Sequence, residues 1–186
     1  MLNILFVVVR KMEGARLVSE LIEKYHPRTI LDLWAWKWYF SILAASYWAQ
    51  VDAVEDTTIR NQYPDYLKAH PNVTFHESKL EEYEITKNYD LVIAKHIVMY
   101  MDKEYVLWKF INSIYQHLNR GGLLFLTYHH SDSELWNEKE WLVQYSLSDF
   151  KSFRWNYTVK DFWDYTNPAP WINKEYKIWY VILQKN

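Results

Sequence analysis

Apolar residues along this chain come in two kinds of run. Four runs are short and nearly unbroken: TILDL at 29–33, VDAVE at 51–55, YDLVIA at 89–94 and LLFLTY at 123–128. Consecutive apolar positions with no polar face mark strands buried on both sides, as at the centre of a parallel sheet. The other kind is spaced. Within 12–25, Leu17, Leu21 and Ile22 recur at helical intervals until Pro27 closes the segment, because proline lacks the N–H that a continuing helix needs. Residues 39–47, a polar stretch ending at about Lys68, and the stretch from Lys103 to about Leu118 read as further helices, and Val73 to Phe75 as a short strand. A helix near Leu147 to Phe153 precedes two strand-like runs, around Asn156 to Trp163 and Tyr176 to Gln184.

This alternation predicts an α/β fold: a Rossmann-like doubly wound sheet, mostly parallel, with helices on both faces and an antiparallel C-terminal hairpin at its edge. No repeat, low-complexity tract or linker-like boundary interrupts it. Residues 1–186 therefore read as a single domain, with an N-terminal segment and helix at 1–27 and the core at 28–186.

In such a sheet a ligand sits at the carboxyl ends of the strands, beside the switch point after the first one. There the chain reads Asp32, Leu33, Trp34, Ala35, Trp36, Lys37, Trp38. A backbone that turns sharply and touches a ligand calls for glycine, and tryptophan occupies three alternate positions instead. The dinucleotide spacing G-x-G-x-x-G would require glycine at 39, where Tyr39 stands, which argues against a nucleotide-dependent oxidoreductase.

Composition extends the anomaly to the whole chain, which has 3 glycines and 11 tryptophans in 186 residues. Trp48, Trp155 and Trp171 occupy turn-like settings. Reading nine of the tryptophans as glycine, sparing Trp163 and Trp179 in their aromatic strand-like contexts, raises glycine to roughly 6%, near the ordinary share of about 7%. A gene that encodes glycine by UGA, translated with UGA as tryptophan, explains this pattern. The competing reading keeps the tryptophans as genuine, plugging the site of a non-catalytic scaffold or binding domain.

With glycine at 34, 36 and 38, the segment LDLWAWKWYF, together with VDAVE, NYDLVIAKHIVMYM and NRGGLLFLTY, resembles class I S-adenosylmethionine (SAM)-dependent methyltransferases over about residues 28–184. Within that superfamily the short layout and the ending INKEYKIWYVILQK resemble the small tellurite-resistance and thiopurine-type enzymes. The resemblance implies a seven-stranded sheet, SAM as cofactor, and methyl transfer to a small-molecule acceptor. It assigns Trp34, Ala35, Trp36 and Trp38 to the cofactor turn and Asp32 to the amino group of the methionine moiety. Glu55, about twenty residues beyond the turn at a strand end, is suited to accept both ribose hydroxyls, and Asp56 beside it to cap the next helix. The adenine slot falls near Lys79, a departure from the family's acid because lysine only donates; Ser78 or a backbone carbonyl is left to accept, while Leu80 packs on the ring. Lys95 and His96 fall in the methyl-donor pocket, with His96 the candidate general base. Transfer from a sulfonium depends chiefly on alignment, so no catalytic triad is expected.

Charge and composition narrow the partners. The 21 basic and 23 acidic residues give a formal net charge of −2 with no basic cluster, which disfavours nucleic acid. The lack of cysteine removes disulfides, thiolate metal sites and a cysteine nucleophile, and fits a cytoplasmic protein. His129 and His130, adjacent on an extended segment, point to opposite faces and show no ligand spacing such as H-E-x-x-H, so no metal is expected. The run LNILFVVV is too short to span a bilayer and lacks a basic leader and a small-residue cleavage site. It reads as a packed N-terminal segment, without membrane association.

Overall fold

The computed structural model describes residues 13–33, 35, 39–56, 70–130, 142–153, 155–169 and 174–186. Its strands are β1 Thr29–Leu33, β2 Gln50–Glu55, β3 Val73–Glu77, β4 Tyr89–Ala94, β5 Leu118–His130, β6 Gln144–Tyr145, β7 Tyr157–Ala169 and β8 Lys174–Lys185. They form one sheet in the order β3-β2-β1-β4-β5-β8-β7, with β6 paired to the end of β5. Strands β1 to β5 run parallel, β8 runs antiparallel to β5, and β7 pairs antiparallel with β8 as the edge. The order reverses between β1 and β4, which is the switch point.

Helices cover both faces. On one, α1 (Glu13–Tyr25) and α2 (Tyr39–Ser46) bury Val18, Ile22 and Leu43 against Ile30, Val51, Leu91, Ile93 and Phe125. The other face carries α3 (103–116) and α4 (Leu147–Lys151). The helix α3 begins as an α turn at Lys103–Tyr105, widens through a π segment at Val106–Phe110 and continues as Ile111–Gln116. Its Ile111 and Ile114 pack with Leu31, Val92, Leu124 and Leu126. Burial on both faces is why the central strands are apolar without alternation.

Two carboxylates, Asp90 half-buried and Asp52 buried, hold this frame. At the start of β4, Asp90 accepts the N–H groups of Arg28 (2.9 Å) and Thr29 (3.0 Å), the Thr29 hydroxyl (3.1 Å) and the Asn119 amide (2.7 Å). It thereby ties together the starts of β1, β4 and β5. In mid-β2, Asp52 is buried and meets His76 Nε2 at 2.6 Å, Lys87 Nζ at 2.6 Å and the Tyr89 hydroxyl at 3.0 Å. Burial alone would raise both carboxyls, but their donors outweigh it and hold each below the usual carboxylate value.

The elements differ from the sequence pattern mainly at their ends. β5 begins at Leu118 rather than after the glycine pair, because Gly122 lets the backbone come close: a Cβ there would lie 2.8 Å from the Asn119 carbonyl oxygen. The C-terminal strands are longer than their apolar runs, since they pair with each other from Tyr157 against Lys185 to Ala169 against Lys174. The helix read before Lys68 lies outside the described residues. Among the described residues no helix is long and apolar enough to cross a membrane.

Helix α2 ends in an unusual way. The N–H groups of Tyr47 and Trp48 return to the carbonyls of Ala44 and Ala45, each at 3.0 Å, and Trp48 adopts φ 67. This is the left-handed residue that closes a helix, where glycine is the common choice. Trp48 stands 86% exposed, so no packing compensates for its backbone strain.

Candidate active site

The carboxyl ends of β1, β2, β4 and β5 bring the polar residues of the core together. Asp32 lies near the end of β1 and is buried. Its carboxylate accepts the Ser41 hydroxyl at 2.5 Å from the first turn of α2. Burial pushes the Asp32 carboxyl up to about 7 against the lowering effects of the Ser41 bond and the Lys95 charge, and the charge of Glu55 adds to the rise. Lys95 follows β4, with its ammonium 4.7 Å from the centre of the Phe40 ring. Its pKa falls to about 8 because burial disfavours the cation, although the Asp32 charge partly restores it. Ala35 donates its N–H to the Val54 carbonyl at 2.9 Å, which holds the exit of β1 against β2. Trp34, Trp36 and Trp38 lie outside the described residues.

Glu55 ends β2 and is buried. Its Oε1 accepts the N–H of Asp56 at 3.0 Å, while Oε2 is buried and has no hydrogen-bond partner among the described residues. Burial raises the carboxyl to about 7; the Asp56 N–H opposes this and the Asp56 charge adds to it. The chain that Asp56 was read to cap lies outside the described residues. The Ser78 N–H reaches the Glu55 carbonyl at 3.1 Å, so the loop after β3 lies directly beside this strand end. In that loop Lys79 points to solvent and pairs with Glu82 at 3.7 Å, while Leu80 packs against the core.

Comparison with solved structures decides the fold. TehB from Haemophilus influenzae superposes with a TM-score of 0.75 at 14% identity over 91% of this chain, which spans only 61% of that chain. The N-methyltransferase NodS from Bradyrhizobium japonicum WM9, in complex with S-adenosyl-L-homocysteine (SAH), gives 0.70 at 9% identity over 94% of this chain and 88% of its own. The 1,6-didemethyltoxoflavin-N1-methyltransferase of Burkholderia thailandensis, with 1,6-didemethyltoxoflavin and S-adenosylhomocysteine bound, gives 0.70 at 14% identity, covering 92% and 77%. The fold is that of the class I SAM-dependent methyltransferases. No protein-family model matches the sequence, and no match was found among curated proteins.

Within this methyltransferase fold, the ends of β4 and β5 carry a second polar group. His96 leaves β4 with φ 58, and its N–H donates to the Thr127 hydroxyl at 2.8 Å. Its Nε2 is buried without a hydrogen-bond partner among the described residues. Burial, then the charges of Lys95 and His129, hold its pKa well below the ordinary histidine value, so the ring is neutral at pH 7. His129 is buried, whereas His130 lies tilted against Trp179 with ring centroids 4.6 Å apart. Among the described residues, no three His, Asp or Glu side chains gather as they would around a metal ion.

The sequence pattern did not single out Ser41, Phe40 or Thr127. Ser41 carried a faint signal as the one polar residue inside the apolar helix YFSILA. Thr127, a good strand former in an apolar run, carried none.

Proposed function

We propose that this protein is a SAM-dependent methyltransferase acting on a small-molecule acceptor, and that glycine is the functional residue at positions 34, 36 and 38. The observation that carries the cofactor reading is the Glu55 carboxylate: buried, at the end of β2, with one oxygen satisfied by its neighbour and the other left for a donor. A ribose diol supplies such donors. Asp32 has Ser41 as its donor, and a ligand ammonium beside it would restore its ionised form. Leu80 provides an apolar wall for a purine. Lys79, turned to solvent, takes no part, and a backbone carbonyl of the same loop meets the adenine amino group.

SAM supplies an electrophilic methyl carbon on a sulfonium. The protein's share is to hold that carbon and the acceptor in line, from which most of the acceleration follows, and to take up the acceptor's proton where it has one. His96 suits that role: with its proton on Nδ1, the buried Nε2 presents a free lone pair at pH 7. Lys95 lies on the methionine side, beside Asp32.

The glycine reading gains support from Trp48, which holds a left-handed helix-closing conformation while almost wholly exposed. Trp155 is likewise 80% exposed in a turn. Two measurements test the proposal. The coding DNA should carry TGA at the nine suspect positions and TGG at 163 and 179; TGG throughout ends the recoding. The Trp34→Gly/Trp36→Gly/Trp38→Gly protein should bind SAH in a calorimetric titration, and failure to do so leaves the plugged, non-catalytic scaffold.

A further inference from the structure

Thr127 makes a contact that the sheet itself does not call for. It is fully buried in the apolar strand β5, and the last ladder pair between β4 and β5 is Ala94 with Leu126. β4 ends at Ala94, so the N–H of His96 lies beyond the ladder. The Thr127 Oγ1 takes that N–H at 2.8 Å. His96 sits at φ 58, a conformation uncommon for residues with a side chain and stable only where the surroundings enforce it.

We infer that Thr127 is a positioning residue whose hydroxyl fixes the left-handed backbone of His96 and so aims the imidazole into the acceptor end of the site. The assignment rests on the reading of His96 as the proton acceptor, although the tether can be tested without an acceptor. A left-handed residue projects its Cβ from the chain in a different direction from an extended one, so releasing the tether moves the ring as well as the backbone. Valine, of the same shape, would leave the N–H buried and unpaired, which drives that release. Serine keeps the hydroxyl and loses only a methyl.

The groups that set the state of the ring are Lys95 from the end of β4 and His129 from the end of β5. A ring moved away from them and from its buried setting regains the behaviour of an ordinary histidine. The experiment uses the full chain, labelled with ¹⁵N, as the parent and as Thr127→Val and Thr127→Ser. In the parent the His96 imidazole should stay neutral well into acid and react slowly with diethyl pyrocarbonate. In Thr127→Val its titration should move up to the ordinary histidine range and its modification should speed up by about tenfold or more. Thr127→Ser should return both readouts to the parent's.

A valine variant that is less heat-stable but has unchanged His96 titration and reactivity would show that Thr127 only packs, and would overturn the inference. Should the valine variant fail to fold, amide exchange decides: the His96 N–H must be protected in both the parent and Thr127→Ser, and exchange at the rate of an exposed amide in the parent overturns the tether. SAH titration of the glycine-restored protein runs alongside. Absence of SAH binding with the imidazole readouts as expected removes the cofactor reading and leaves the tether standing.

Discussion

Four carboxylates, three of them buried and Asp90 half-buried, lie on the strands β2, β1 and β4, and they live under opposite conditions. Asp52 and Asp90 stand away from the carboxyl ends, each with at least three donors, and each is held below the usual carboxylate value. Asp32 and Glu55 stand at the carboxyl ends, Asp32 with Ser41 as its donor and Glu55 with one oxygen unpaired among the described residues, and burial pushes each up to about 7. Asp52 and Glu55 even share β2. Strand and burial are therefore not what separates that pair; the supply of hydrogen-bond donors is. A carboxylate that the protein satisfies itself serves the frame, and one that it buries without donors leaves that task to a ligand.

The largest effect expected at the starved end concerns the turn beside Asp32. Restoring glycine at 34, 36 and 38 together should raise SAH affinity by about 10²-fold or more over the parent chain, because three indoles replace hydrogens where a cofactor turn brings its backbone against the ligand, and a turn glycine held at φ > 0 costs about 1 kcal/mol or more as tryptophan. Any single reversion should leave calorimetry without a binding signal. Micromolar SAH binding by the parent chain would break the comparison, because the starved groups would then be open to ligand with the indoles in place.

His96→Ala in the glycine-restored protein should lower turnover by about 10² while leaving SAH affinity nearly intact. A panel of thiol, amine and hydroxyl acceptors must first supply an assay, and equal rates for mutant and parent would return His96 to a packing role.

A crossed pair sharpens the contrast further. Glu55→Ala should weaken SAH binding by about 1.5–3 kcal/mol, the scale of hydrogen bonds to a charged group, with little change in circular dichroism. Asp52→Asn should do the reverse, lowering the free energy of unfolding in urea by about 1–3 kcal/mol while leaving SAH affinity alone. Swapped outcomes would mean that donor supply does not distinguish site from frame.

The smallest effect is on pH dependence. Asp32 and Glu55 have raised pKa values in the folded protein, so their contribution to stability is present below their ordinary values and is lost as pH rises through about 7. Asp52 and Asp90 are lowered, so their contribution is present above the ordinary carboxylate value and is lost as pH falls through their folded values. SAH held against the ionised forms of Asp32 and Glu55 should therefore bind about tenfold more tightly per carboxylate at pH 8 than at pH 6. Calorimetry at the two pH values checks this, and a flat profile would place neither carboxylate against the ligand.

Most of the frame was legible because burial on both faces writes itself as unbroken apolar runs. Thr29–Leu33 and Tyr89–Ala94 were bounded as found. Asp32 and Glu55 were legible as acids at strand ends, a local feature. What escaped notice depends on residues far apart in sequence. The Phe40 ring beside Lys95 and the Thr127 tether exist only once α2, β4 and β5 meet, whereas the Ser41 bond to Asp32 spans nine positions and forms when α2 folds back on β1. The left-handed turn at His96 had no glycine or asparagine to announce it. Gly122 was visible as a glycine but was left outside the strand, whereas it lets β5 pass the Asn119 carbonyl.

The Asp90 cluster also bears on how the chain reaches this state. Its bonds join Thr29 to Asp90 across 61 positions, because β1 and β4 are neighbours in space while β2 and β3 intervene in the chain. Closing a loop of that length costs entropy before any contact rewards it, so parallel sheets built this way fold slowly. Until β4 arrives, the inner edge of β1 is an unpaired apolar strand, open to pairing with another chain. The donors gathered around Asp90 thus act at the moment when the two halves of the sheet are joined, and the time spent before that moment is when the nascent protein is exposed to aggregation.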